Sequence, residues 1–282
     1  MQVQWYPGHM TKTRRQLEDR MKMVQIVINV LDARAPQASQ NPDLAGLFED
    51  KLVLYVLNKS DLADPQITAR WLRYFKENGQ TAVAYSVPKD KPALLKEEIS
   101  RVAAPLTAKY AEQGAKRIVR GLVAGVPNVG KSALLNRLLG TKRMEEGNRP
   151  GVTRSLQWAK IDPYLEILDS PGMLWPKFDD QTVGAILALL GSVRRDILNE
   201  EELALYLIQF LKKTDPRILQ ERYKLENLDG EPLEILDALC RRRGFLVRGG
   251  EPDTERGAKT LLDEFRDGKL GRVSLEAPPQ KT

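Results

Sequence analysis

Residues Gly125–Ser132 read GVPNVGKS and fit the pattern G-x-x-x-x-G-K-[ST]. That spacing suits the gripping of a polyphosphate. Glycines let backbone N–H groups curl around an anion with no Cβ in the way, and a following helix points its positive end at it. The candidate contacts are Pro127, Asn128, Val129, Gly130, Lys131, Ser132 and Ala133. Lys131 would reach the β- and γ-phosphates, and the Ser132 hydroxyl would bind Mg²⁺. The competing reading is a chance Gly-rich turn. A β-branched run before the loop and a helical run after it argue against chance.

A second constellation is NKSD, Asn58–Asp61, at the end of an apolar run. A carboxylate at Asp61 can accept from both the N1–H and the exocyclic amine of guanine. Adenine offers neither donor there, so a desolvated Asp61 would be left unpaired by ATP. Asn58 can bridge the base and the loop, and the Lys59 stem can pack on the ring face. Alone, these are ordinary turn residues; beside a phosphate loop they acquire meaning. The third signal is DSPG, Asp169–Gly172. Asp169 would hold Mg²⁺ and the Gly172 N–H would meet the γ-phosphate. Thr153, in the polar stretch between, is either a second Mg²⁺ hydroxyl or a solvated loop threonine.

The elements that must position these groups are legible from periodicity. Val24–Ala33, Lys51–Asp61, Thr81–Val87 and Arg117–Gly125 read as short buried strands, with two more around LQWAKI and YLEILD. Helical spacing covers Pro65–Asn78, Ala93–Glu112 and Ser132–Leu139. Strands alternating with helices imply an α/β fold, a mostly parallel sheet with helices on both faces. Beyond about residue 178 only helical runs follow: Gln181–Leu190, Glu200–Lys213, Pro216–Tyr223, Pro232–Arg242 and Glu255–Asp267. The expected domains are 1–178, the nucleotide domain, and 179–282, a small all-α domain whose tail SLEAPPQKT frays.

Composition narrows the classes. The 282 residues carry 44 basic and 38 acidic side chains, a net charge of +6, which permits a polyanionic partner. Hydrophobic residues at 42% suffice for a core and exclude a disordered chain. No apolar run is long enough to span a bilayer, and the opening MQVQWYPGHM has no secretory h-region. One Cys and one His exclude a disulfide framework and a His/Cys metal cluster, which suits a reducing cytoplasm.

The motifs together resemble a translation-factor-like GTPase with its order rearranged. In that family the phosphate loop comes first and the base-reading motif later; here NKSD precedes GVPNVGKS, Thr153 and DSPG. The chain thus looks like a circularly permuted P-loop GTPase. WYPGHM, LDARAP, NKSD, GVPNVGKS, PGVT and the basic helical tail are together similar to the bacterial ribosome biogenesis GTPase A family. The resemblance implies GTP and GDP as ligands, Mg²⁺ as cofactor, and a monomeric assembly factor that binds ribosomal RNA of the large (50S) subunit and leaves on hydrolysis. One stretch departs from the pattern. The loop that contacts the base reads SVPKDK here: Ser86 keeps its place and the Val87 N–H can meet guanine O6, but Pro88 stands at the lysine position.

Hydrolysis raises a further question. The residue after DSPG, where many GTPases place a water-orienting Gln, is Met173. The implied catalytic set is Lys131, Thr153 and Gly172, with His9 of the Pro-Gly turn either orienting water or simply packed. Met173 keeps open a second reading, a nucleotide-gated RNA-binding scaffold with negligible hydrolysis. Asn128 either helps bind K⁺, as the likeness to cation-dependent GTPases suggests, or tolerates an unusual loop dihedral. RRRGFLVRGG (Arg241–Gly250), Arg256, Lys259, Arg266, Lys269 and Arg272, with Lys12, Arg14 and Arg15, form either an RNA-backbone footprint or a solvated basic surface.

Overall fold

In the computed structural model, residues 15, 17–112, 117–140, 157–175, 178 and 180–280 are described. His9, Thr153, Lys12, Arg14, WYPGHM and PGVT lie outside them. The chain divides into two compact units. One contains residues 17–178 and the C-terminal segment 274–280; the other contains residues 180–273.

The first unit is built on a sheet of strands β1 (Ile26–Asp32), β2 (Leu52–Asn58), β3 (Thr81–Ala84), β4 (Val119–Ala124), β5 (Gln157–Asp162) and β6 (Leu165–Asp169). Their spatial order is β3-β2-β1-β4-β6-β5. Every pairing is parallel except β5 with β6. β1 is buried along its whole length, which is why it reads as a mainly apolar run without alternation, interrupted by Asn29 and ending in Asp32. Its register sets Asp32 opposite Asn58, and Val123 stands opposite Asp169. The C-terminal ends of β1, β2, β4 and β6 therefore share one edge, the usual ligand edge of an open parallel sheet.

Helices α1 (Pro42–Ala45), α2 (Pro65–Glu77), α3 (Pro92–Glu112) and α4 (Lys131–Leu139) belong to this unit. α2 starts where local chemistry dictates: Asp64 caps the Gln66 and Ile67 N–H groups, and Pro65 needs no acceptor at the first turn. Its buried Trp71 and Phe75 pack with Leu31 and Leu57 of the sheet. The short α1 falls in a stretch that reads as turns from sequence. Asn41 caps it and sends its Nδ2 to the Met173 carbonyl at 2.9 Å.

The second unit holds helices α5 (Gln181–Leu189), α6 (Glu200–Thr214), α7 (Arg217–Tyr223), α8 (Pro232–Arg243) and α9 (Thr254–Arg266). Asn199 caps α6 through the Glu202 N–H, and Glu231 with Glu234 forms a reciprocal cap on α8. Inside, Glu264 accepts from Arg222, Arg243 and the Tyr223 hydroxyl, so a buried carboxylate is fully partnered.

The tail corrects an expectation. Ser274–Gln280 is not frayed: Leu275 and Pro278 are buried, and the segment packs with the sheet-bearing unit rather than with the helices. Backbone and side-chain hydrogen bonds, not apolar periodicity, hold it there, so nothing in the local pattern of SLEAPPQKT announces it.

Candidate functional site

The loop between β4 and α4 rises at the shared edge. Gly130 has φ +94°, and a Cβ there would lie 2.4 Å from Asn58 Nδ2. Only glycine permits this approach of the phosphate loop to the base-reading motif. Asn58 Nδ2 donates to the Val129 carbonyl at 2.7 Å, and Lys59 Nζ donates to the Asn128 carbonyl at 2.6 Å. GVPNVGKS and NKSD, about seventy residues apart in the chain, thus form one surface. Pro127 and Val129 lie buried in it, Asn128 has φ +62°, and Ala133 follows Ser132 in the first turn of α4.

Lys131 is almost fully buried and donates to the Val126 carbonyl at 2.8 Å. Burial lowers its pKa to about 8, Lys59 pushes the same way, and Asp169 opposes both. Ser132 Oγ donates to Asp169 Oδ2 at 3.0 Å. Burial raises the Asp169 pKa, against the pull of Lys131 and Ser132. Its other oxygen, Oδ1, is buried with no hydrogen-bond partner. An orphaned carboxylate oxygen beside a hydroxyl is a donor set for a small hard cation. Asn58 Oδ1 is likewise buried and unpartnered.

Gly172 closes over the loop. A Cβ on it would meet Pro127 Cα at 2.6 Å and Lys131 Nζ at 2.9 Å. DSPG therefore lies directly against the phosphate loop. Met173 turns away into a cluster with Leu17, Met21, Leu122 and Leu168, so it serves the core.

On the base side, Ser86 Oγ donates to Asp61 Oδ1 at 2.8 Å, and Asp90 Oδ2 accepts from the Ser86 N–H at 2.7 Å. Val87 is half-buried beside them. Pro88 leaves the lysine position empty of charge, but Lys89, one residue on, sits 3.9 Å from Asp61 Oδ2. Lys89 was not singled out from the sequence.

Two further residues escaped the sequence reading. Asp32, at the end of β1, is buried 3.2 Å from Lys59 Nζ and paired through two bonds with the equally buried Arg34, at 2.9 and 2.8 Å. Burial opposes the Asp32 charge, but Arg34 and Lys59 outweigh it and hold the carboxyl below the usual range. Burial depresses the Lys59 pKa, and Asp32 resists that. The signal was LDARAP itself, a charged pair directly after an apolar strand.

The basic stretch of the helical unit is exposed but largely self-neutralised. Arg242 pairs with Glu226 at 2.8 Å, Arg243 with Glu264 at 3.0 Å and Arg241 with Glu251 at 3.8 Å. Arg266 points inward and caps α5 through the Ala188 and Leu189 carbonyls. Arg248, Lys259, Lys269 and Arg272 are exposed. Arg256 is exposed too and lies over the Phe245 ring. Among the described residues, no cluster of His, Cys, Asp and Glu is suited to a metal, and no helix is long and apolar enough to cross a membrane.

Comparison with known proteins places this geometry. Residues 120–238 match a family model described as 50S ribosome-binding GTPase. Ribosome biogenesis GTPase A of Bacillus cereus is 40% identical over 284 residues, covering 99% of this chain and 95% of the relative. The Priestia megaterium protein of that name is 41% identical, covering 99% of this chain and 98% of the relative. A GDP-bound YlqF structure superimposes with TM-score 0.69 at 30% identity, covering 94% of this chain and 99% of the other. The GNP-bound YlqF from T. maritima gives 0.68 at 28% identity, with 94% and 98% covered.

Proposed function

The chain belongs to the ribosome biogenesis GTPase A family, and from that membership we propose that it binds GTP, hydrolyses it to GDP and phosphate, and serves assembly of the large ribosomal subunit. The observation that carries this reading is the pair of bonds from Asn58 and Lys59 to the Val129 and Asn128 carbonyls. They make a base-reading surface and a phosphate grip parts of one site.

Each residue then has a task. The Gly130–Lys131 turn and the N-terminus of α4 present N–H donors to the β-phosphate. Lys131, with its charge held back by burial, regains it fully against a phosphate. Asp61 takes guanine N1–H and the amine, with Ser86 orienting its carboxylate, while the Val87 N–H faces O6. The Lys59 stem supports the ring. Gly172 brings its N–H to the γ-phosphate, where a triphosphate and a diphosphate differ. Ser132 and Asp169, with Thr153, would hold Mg²⁺, which neutralises charge on the β- and γ-oxygens when bound. Asn128 is the candidate for an additional K⁺. Buried Met173 leaves water orientation to another group, and His9 is that candidate.

The helical unit supplies the ribosomal contact in this reading. Arg248, Arg256, Lys259, Lys269 and Arg272 are exposed cations suited to an rRNA backbone. The factor acts in the cytoplasm, as a monomer, and away from membranes. The chain runs from DSPG into the helical unit, so loss of the γ-phosphate contact at Gly172 has a covalent route to the RNA-binding helices.

The deciding experiment is co-sedimentation with large subunits under a nonhydrolysable GTP analogue, GDP and no nucleotide. Retention with the analogue and release with GDP is expected. Equal retention in all three states would defeat the reading. Burial of Met173 favours the non-hydrolysing scaffold as the second reading. Single-turnover hydrolysis that stays negligible with subunits present would establish the scaffold instead.

A further inference from the structure

We propose that the C-terminal segment 274–278 is a positioning element for guanine-nucleotide binding, clamping the two loops that hold Asp32 against Lys59. The inference rests on the nucleotide-site reading above and assigns a role to a stretch that lies outside every nucleotide motif.

The tail's hydrogen bonds join two places. The Leu275 N–H donates to the Arg34 carbonyl at 2.7 Å. The Glu276 carboxylate accepts from the Gln37 N–H and from the Ala38 N–H at 3.1 Å. These groups belong to the loop that follows β1. Ser274 Oγ accepts from the Asp64 N–H at 3.1 Å, and Trp71 Nε1 donates to the Glu276 carbonyl at 3.4 Å. Those belong to the segment that follows NKSD and to α2. The tail therefore ties the exit of β1 to the exit of β2, the neighbouring strands whose last residues are Asp32 and Asn58.

Between those two exits sit the buried Arg34–Asp32 pair and the half-buried Lys59. Lys59 is the residue whose stem supports the base and whose ammonium fixes the Asn128 carbonyl. Its own backbone is held at φ +59°, a conformation a lysine adopts only under constraint. Asp32 constrains the Lys59 head, and Arg34 constrains Asp32. The tail in turn holds the backbone on which Arg34 is carried. Ala38 is buried, so without Glu276 its N–H would lack an acceptor and the loop would rearrange. The tail's hydrogen bonds reach the loops after β1 and β2, which carry Arg34 and Asp64. Its effect belongs to the base side of the site.

The test is titration with fluorescent GDP and a nonhydrolysable GTP analogue, with steady-state GTP hydrolysis alongside. Four chains are compared: the full chain, a chain ending at Val273, Glu276→Ala and Glu276→Gln. Loss of the clamp should weaken both nucleotides by the same factor, about tenfold, in the shortened chain and in Glu276→Ala. KM should rise by that factor while kcat at saturating GTP stays within about twofold. Glu276→Gln keeps a carbonyl acceptor and should bind like the full chain. The preference for guanosine over inosine diphosphate should be unchanged, because Asp61 is untouched. Unaltered affinity in Glu276→Ala, or a fall in kcat with KM unchanged, would overturn the proposal. If the shortened chain does not melt cooperatively, Glu276→Ala decides. If the full chain itself takes up no guanine nucleotide, the functional reading fails and this inference with it.

Discussion

Lys59 donates its ammonium proton to the Asn128 carbonyl at 2.6 Å. One side chain thereby ties the base-reading motif to the phosphate loop. The same ammonium lies 3.2 Å from Asp32 Oδ2, so a buried anion fixes the cation that makes the tie. In the proposed site, base and phosphate recognition are therefore mechanically one device.

In the proposed site Asp61 carries base identity. Asp61→Asn exchanges two acceptor oxygens for an acceptor and a donor, which suits xanthine and leaves guanine mismatched. GTP affinity should fall by roughly 100-fold, and xanthosine triphosphate should compete where it did not before. Competition against labelled GDP measures both.

Lys131 couples binding to protons. With its pKa near 8, the lysine is partly neutral at pH 8.5 and fully charged at pH 6. A bound phosphate favours the charged form. GDP binding should therefore take up about three-quarters of a proton at pH 8.5 and nearly none at pH 6. Calorimetry in buffers of different ionisation enthalpy reads the uptake directly.

Gly172 has no room for a side chain. A Cβ would stand 2.6 Å from Pro127 Cα, a backbone atom that cannot swing aside. Gly172→Ala should push DSPG off the phosphate loop. Affinity for a triphosphate analogue should drop at least tenfold relative to GDP, and hydrolysis should be lost. Paired titrations with the two nucleotides check it.

Glu276 makes stability depend on pH. Burial raises its carboxyl to about 7 in the folded chain. The folded state thus holds this proton more tightly than the unfolded one. The contribution is fully present below about pH 4.5, the unfolded value, and is lost as pH rises through about 7. Glu276→Gln, which cannot ionise, should gain stability relative to the unaltered chain between pH 5 and 8. Urea melts across that range give the sign.

In the proposed function His9 is the candidate for orienting the attacking water. His9→Ala should lower kcat by at least tenfold with ribosomal subunits present and leave GTP affinity nearly unchanged. Single-turnover rates and equilibrium titration separate the two effects.

What the sequence determined by itself was chemistry carried on short, contiguous runs. GVPNVGKS, NKSD and DSPG each announce a function because the backbone geometry they need is local: a glycine turn, a strand end, a helix start. The strands were legible because a parallel sheet buries both faces and leaves dominantly apolar runs such as Ile26–Leu31, where Asn29 is the one polar residue. The tertiary structure decided everything that depends on residues far apart in the chain. Arg34 reads as part of a turn-rich stretch, and only the fold shows it buried against Asp32. Arg241, Arg242 and Arg243 read as a free basic patch until each meets a glutamate from another turn or helix. Met173 reads as an apolar side chain at the water-orienting position, and only its neighbours show that it serves the core. The tail reads as loose because its stability comes from single hydrogen bonds to backbone over two hundred residues away. Such bonds follow from which loops the sheet order brings to one edge, and no window of sequence contains that information.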